Sequence, residues 1–432
     1  MTDGHVRDVG PADVQNPVDP LLERIGISSP DVHGFVLPGF EGVAHSFTRQ
    51  LRRGNGGAAV AVYHHGKAVV DLWGGSRDDD DDEPWLEDTL AMSFSTTKGV
   101  TSTAVHLLAS RGLVDYREPV ATYWPEFAQN GKAAVTVADV LTHAAGLHRV
   151  RTLVDSAHRM LDWEHMTDAL AKAEPVYAPG TDSGYHGLTY GWLAGEIVRR
   201  VDGRSLARFV DEEIAEPLGL DGLYIGCPPG QRHRVAALHP LGNLVFGPRP
   251  ARIVQRRIGA RFSQVLAALR VPLVPQRAIN TLVPRRMNEV MYSPELMDAE
   301  VPSANGFFTA RSLARMYAMI AGHGEIDGVR LLTRETVDEI AEVRVAGLDR
   351  VLGLPMGWRL GFHRAMAFRA RLDHGFGHFG FGGSGAWADP SRELSMAMTC
   401  NRGTGTPVGD TRIAWLGGAA VQAADRIDAR DR

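Results

Sequence analysis

The chain has 432 residues, 44% of them hydrophobic and 22% charged, with a formal net charge of −5, which fits one large or two medium globular units. No basic block accompanies that charge, so nucleic acid is excluded as the main partner and a small molecule is expected instead. Only Cys227 and Cys400 are present, without a CxxC or a His/Cys cluster at zinc-finger spacing, so neither a disulfide framework nor a structural metal is suggested.

Residues 1 to about 35 are rich in Asp, Pro and Gly without periodicity and read as a poorly packed leader. They hold no apolar run after a basic start, and no run of about 18 apolar residues occurs anywhere, so a cytoplasmic protein without a membrane span is expected. Val43, Phe47 and Leu51 lie four apart and predict an amphipathic helix ended by Gly54. "AAVAVYHHGKAVVDLWGG" holds two β-rich runs about a turn containing Gly66, a hairpin signal. The five aspartates from Asp78 to Asp82 lack the ligand spacing of a calcium loop and read as a solvated loop.

From Thr96 to about Arg111, Val100, Ala104, Leu107 and Leu108 mark one helix face, and Gly112 stops the helix. Residues 113 to 300 carry mostly helical periodicity broken by loops. Within them the Arg-rich segment 252–277 reads as a packed helix with a solvated Arg face, an amphipathic flap or membrane-surface helix being the alternatives. A further helix begins near "GFFTARSLARMYAMIAGHG", followed by strands around 357–400 and a closing helix from about Asp410 to Asp425.

The chain has four lysines, every other basic residue being arginine, and one of the four, Lys98, follows Ser95 by three positions in "SFSTTKGV". On a helix, residues i and i+3 share a face, so the amine reaches the hydroxyl. A buried lysine can shed its proton and activate a serine, whereas arginine cannot. Placement near a helix N-terminus also favours negative charge developing on Ser95; a plain N-cap role is the alternative. His143 in "LTHAAGL" reads as structural. Asp373, His374 and His378 are spaced like metal ligands but match no HExxH pattern and fall in a strand-like run, so no metal is assigned. There is no GxSxG elbow and no HGGG run, which disfavours an α/β-hydrolase.

The blocks "SFSTTKGVTSTAVHLLASRGLVDYREPVATYWPEF", "VTVADVLTHAAGL", "YAPGTDSGYHGLTYGWLAGEIV", "FVDEEIAEPLGL" and "FGHFGFGGSGAWADP", in that order, resemble the serine β-lactamase and penicillin-binding-protein superfamily. Within it they resemble the class C β-lactamase-related carboxylesterases, or family VIII esterases, over roughly residues 40 to 425. The resemblance implies an α/β fold in which an antiparallel sheet is flanked by N- and C-terminal helices. Residues 36–95 and 300–428 would form that unit and 96–299 an inserted, mostly helical one, with the active site in the cleft between them. It implies Ser95 as nucleophile and Tyr185, from a Tyr-x-Asn motif, as general base, held anionic by Lys98; Tyr190 is the competing phenol.

The third motif of the family corresponds to His378-Phe379-Gly380 on the strand edging the pocket. The N–H of Phe381 would join that of Ser95 in an oxyanion hole, with His378, Gly380 and His186 on the substrate side. No cofactor is implied. Two departures stand out: Gly187 replaces the asparagine of Tyr-x-Asn, and His378 replaces a lysine. Both remove groups that hold anionic lactams, so small-molecule carboxylic esters are the expected substrates. Acyl transfer, amide or weak β-lactam hydrolysis at the same serine, or a catalytically silent scaffold, are the alternatives.

Overall fold

The β-rich runs from the two ends of the chain pair with one another in a computed structural model of the protein, which describes residues 20–27, 32–52, 56–78, 83–239, 282–403 and 411–430. Strands β1 (His33–Val36), β2 (Ala58–His64) and β3 (Lys67–Gly74) come from the first end. In this numbering β4 (Ala91–Met92), β5 (Leu223–Ile225) and β6 (Gly306–Phe308) form a separate three-stranded sheet in the order β4-β6-β5. Strands β7 (His363–Arg364), β8 (Phe376–Phe379), β9 (Gly385–Asp389) and β10 (Leu394–Cys400) complete the main sheet from the other end. Its order is β1-β3-β2-β10-β9-β8-β7, antiparallel throughout.

The join between the two chain ends is β2 against β10, with His64 opposite Leu394 and Ala58 opposite Cys400. Both strands are buried along their whole length, and side chains alternate between two faces because the strand period is two. Val60, Val62, Met396 and Met398 pack with Val43 and Phe47 of helix α1 (Glu41–Leu51) and with Leu416 and Val421 of the closing helix. Ala59, Ala61 and Ala397 turn to the opposite face, where Leu313 and Met316 of the helix Ala310–Ala321 pack. Small side chains on that face let the helix come close to the sheet.

Several expectations need correction. The described parts of the leader, residues 20–27 and 32–35, are packed: Pro20–Arg24 is helical, β1 pairs with β3, and Leu22, Ile27 and Val32 are buried against the outer face of the sheet. Low periodicity over so short a stretch hid those apolar anchors. The closing helix runs Thr411–Arg430, further than expected. The three-stranded sheet was not anticipated, since its two- and three-residue strands carry no period of their own. Gly54, Asp79–Asp82 and the Arg-rich segment 252–277 lie outside the described residues. No helix among the described residues is long and apolar enough to cross a membrane.

Helix α2 (Thr97–Ser110) is buried from Thr97 to Leu108. A helix covered on all sides tolerates small polar side chains only if they are satisfied internally. Thr101, Ser102 and Thr103 do this by donating to the carbonyls of Thr97, Lys98 and Gly99 at 3.2, 2.6 and 2.8 Å. Helix α3 (Thr189–Asp202) packs along it.

Candidate active site

Ser95 sits in a 3₁₀ turn, Phe94–Thr96, that leads directly into α2, and it is half-buried between fully buried neighbours. Phe94 adopts φ +47°, an unfavourable conformation for a non-glycine residue that persists only where the surroundings enforce it. The enforcement is visible. Ser93 N–H donates to Gly306 of β6 at 2.8 Å, Gly306 N–H donates to Thr97 Oγ1 at 2.9 Å, and Thr96 Oγ1 donates to the Ser384 carbonyl at 3.0 Å. The short second sheet and the β8–β9 turn thus clamp the turn that presents the hydroxyl.

One turn along α2, Lys98 Nζ lies 3.1 Å from Ser95 Oγ, 2.6 Å from the Gly187 carbonyl and 3.1 Å from the Ser303 carbonyl. The side chain is completely buried, and its three partners are all uncharged. Burial without a compensating carboxylate holds its pKa well below the ordinary lysine value. The amine thus faces three oxygens, the Gly187 and Ser303 carbonyls and Ser95 Oγ, and is fixed one turn from the hydroxyl.

Tyr185 reaches the same atom: its Oη lies 2.7 Å from Ser95 Oγ. Lys98 Nζ is 5.1 Å from the centre of the phenol ring. Burial pushes the phenol above its ordinary pKa, the Ser95 hydrogen bond opposing this and the Asp349 charge reinforcing it. The phenol is therefore raised where a depression by Lys98 was expected, because desolvation disfavours the charged form of each group, raising the phenol and lowering the amine. The competing phenol, Tyr190, is engaged elsewhere, 2.6 Å from Ser102 Oγ within the helix pair.

His378 on β8 is buried, its ring centre 6.2 Å from that of Tyr185 and 4.9 Å from that of His363. Nδ1 lies 3.2 Å from the Phe379 carbonyl, and Nε2 has no hydrogen-bond partner. Burial, with His363 and Lys98 adding to it, holds its pKa well below the usual imidazole value, so the ring is neutral. Gly380 follows at the strand end, where an added Cβ would lie 2.3 Å from the Ser93 carbonyl; only glycine permits this approach to the Ser95 turn. The Phe381 ring meets the Phe94 ring edge-on at 6.2 Å.

His186 is not at the substrate side. It is fully buried, its Nε2 accepts the Leu147 N–H at 2.9 Å, and its backbone N–H donates to His143 Nδ1 at 3.1 Å. Burial pushes its pKa down to about 3. His143, read as structural, has its ring centre 5.1 Å from Tyr185 and 4.3 Å from Trp358. At Gly187, where the family motif has asparagine, an added Cβ would stand 2.8 Å from the Leu282 side chain.

Three participants escaped sequence reasoning. The Gly187 and Ser303 carbonyls are backbone atoms and leave no signature in residue type. Asp349, from a loop 164 positions away, accepts the Tyr185 backbone N–H at 3.2 Å.

A family model described as Beta-lactamase matches residues 43–419. The chain is 39% identical over 394 residues to the "Esterase/beta-lactamase LipL" of Mycobacterium tuberculosis, covering 89% of this chain and 88% of that protein. It superposes on a penicillin-binding protein homolog from Caulobacter crescentus with a TM-score of 0.77 and 34% identity, covering 91% of this chain and all of the other. A crystal structure described as a family VIII carboxylesterase gives 0.74 and 34%, with coverage of 92% and 99%.

Proposed function

Because the chain belongs to the Beta-lactamase family over most of its length, we propose that it is a serine carboxylesterase that cleaves small-molecule esters through an acyl-enzyme on Ser95. The observation that carries this reading is the convergence of Lys98 Nζ, at 3.1 Å, and Tyr185 Oη, at 2.7 Å, on one serine oxygen. The names of LipL and of the family VIII carboxylesterase support esters as substrates. A neutral His378 and a glycine at 187 support uncharged esters over anionic lactams.

In the resting enzyme amine, phenol and hydroxyl are all neutral. Ser95 attacks the ester carbonyl while Lys98 takes its proton, and the N–H groups of Ser95 and Phe381 receive the oxyanion. On collapse the departing alkoxide takes the Tyr185 proton and leaves as an alcohol. A Tyr185 phenolate then faces a Lys98 ammonium, so the pair of opposite charges belongs to the acyl-enzyme rather than to the free enzyme. Water attacks the acyl group and returns a proton to the phenolate. Ser95 leaves with the proton held on Lys98, and the starting state is restored.

The test is turnover of p-nitrophenyl acyl esters of increasing chain length, with nitrocefin alongside and fluorophosphonate labelling of the protein. Ester cleavage lost in Ser95→Ala, labelling at Ser95 and slow nitrocefin turnover are the expected results. Wild-type protein that neither cleaves any ester nor accepts the label would overturn the proposal.

A further inference from the structure

His64 and His65, at the turn between β2 and β3, project toward the last turns of the closing helix Thr411–Arg430, on the sheet face covered by the terminal helices. His64 Nε2 lies 3.2 Å and His65 Nε2 3.1 Å from one oxygen, Asp428 Oδ1. The three ligand atoms all fall within 4.8 Å of one another, and the imidazole rings lie 4.0 Å apart, centre to centre. From this geometry we infer a binding site for a divalent transition-metal ion of the zinc type, held by His64 Nε2, His65 Nε2 and Asp428 Oδ1.

A salt-bridged histidine explains only half of the cluster. His65 makes a hydrogen bond to Asp428, but His64 does not. Its side chain is 4% exposed, and Nε2 is a buried nitrogen without a hydrogen-bond partner, although Asp428 Oδ1 is 3.2 Å away. The distance is right for a hydrogen bond and the alignment is wrong. Coordination requires that combination. Ligands about 2.0–2.1 Å from a tetrahedral ion stand about 3.3 Å from each other, and their lone pairs converge on the ion rather than on the neighbouring ligand.

The surroundings fit as well. Glu393 Oε2 lies 3.4 Å from His65 Nδ1, a second carboxylate that would hold Nδ1–H and orient the ring once Nε2 gives up its proton to ligate. The nearby cation, Arg392, is tied up by Asp389 at 2.7 Å and Asp425 at 2.7 Å. His65 holds φ +50°, an uncommon conformation for a non-glycine residue, so the backbone is set to turn both rings to one side. Two nitrogens and one oxygen leave a fourth position for water. A bound ion would pin the β2–β3 turn to the closing helix.

The test uses the full-length protein, stripped with a chelator and titrated with Co²⁺ and then Zn²⁺. The expected result is one equivalent of Co²⁺ giving the visible absorption of a four-coordinate ion, displaced by Zn²⁺, with Zn²⁺ raising the melting temperature. His65→Asn and Asp428→Asn should each abolish the spectrum and the thermal shift while the metal-free protein still melts cooperatively; asparagine tolerates the His65 backbone. Glu393→Gln should weaken binding about 10-fold. Wild-type protein that takes up no stoichiometric Co²⁺, or both variants binding as tightly as wild type, would overturn the site. Ser95-dependent esterase activity of the variants should be unchanged.

Discussion

Asp349 and Tyr185 are joined by a single hydrogen bond across 164 positions, the phenol's own backbone N–H donating to Asp349 Oδ1 at 3.2 Å. The same oxygen accepts from Val351 and Leu352 N–H at 2.9 and 2.8 Å, and Oδ2 accepts Trp358 Nε1–H at 3.0 Å. The indole lies parallel to the Tyr185 ring, 5.7 Å away with an interplanar angle of 6°. One buried carboxylate thus fixes both the backbone of the phenol and the surface its ring rests on. Asp349→Asn keeps an oxygen for the three backbone N–H groups but turns its amide N–H against Trp358 Nε1–H, shifting the indole on which the phenol rests, and a displacement of about 1 Å at a reacting group can cost about 100-fold in rate. Kinetics on p-nitrophenyl esters should show kcat falling by about that factor with KM little changed; an unchanged kcat would remove Asp349 from the positioning of Tyr185.

The pH dependence follows from Lys98. Its pKa is lowered by burial, so below that value the amine carries a proton and cannot accept another, and activity falls as pH falls through it. The phenol is raised above its ordinary value of about 10, so it stays protonated through the alkaline range. The expected profile of log kcat/KM has one ascending limb and then a plateau to about pH 10. A descending alkaline limb would instead report an ammonium required in the free enzyme and would contradict the neutral resting state. Lys98→Arg, which keeps a charge that cannot be shed, should lose at least about 100-fold.

Tyr185→Phe separates proton donor from packing. The ring keeps its contacts with Trp358 and His143, so stability should change by no more than about 1 kcal/mol. Alkyl esters, whose alkoxide needs a proton to depart, should slow by about 100- to 10,000-fold. p-Nitrophenyl esters, whose leaving group departs as an anion, should lose far less in acylation. Equal losses for the two substrate types in single-turnover acylation would assign the phenol to the attack step instead.

The parts of this site carried by side chains at a fixed local spacing were legible in the sequence. Ser95 and Lys98 stand one helical turn apart, and the burial that lowers the pKa of the amine follows from the apolar positions around it. Tyr185 came from the ordered motifs, because nothing local in "DSGYHGL" distinguishes a catalytic phenol from a packed one. Its protonation state was misjudged because charge pairing was weighed ahead of desolvation. The Gly187 and Ser303 carbonyls, the Asp349 oxygen and the strained Phe94 backbone are set by pairings of distant segments. The same is true of His64, His65 and Asp428, which meet across 363 positions. Glycine marked two of these places, Gly187 and Gly380, without saying what comes close to each.

Gly380 and Gly382 offer a controlled comparison of how the β8–β9 turn supports the Ser95 turn. At Gly380 an added Cβ meets the Ser93 carbonyl at 2.3 Å and Thr96 Oγ1 at 3.0 Å. Ser93 cannot yield, because its N–H is bound to Gly306 and the next residue already holds φ +47°. At Gly382 the obstacle is the Phe94 ring, 2.4 Å from the added carbon at Cε2, and a side chain can turn away. Overpacking of this kind typically costs about 1–3 kcal/mol. Gly380→Ala should therefore displace the Ser95 turn and lower kcat/KM by about 100-fold, while Gly382→Ala should lose stability with a smaller loss of rate. Thermal melts beside ester kinetics on both variants test this, and a Gly380→Ala enzyme as fast as wild type would show that the turn is not held from this side.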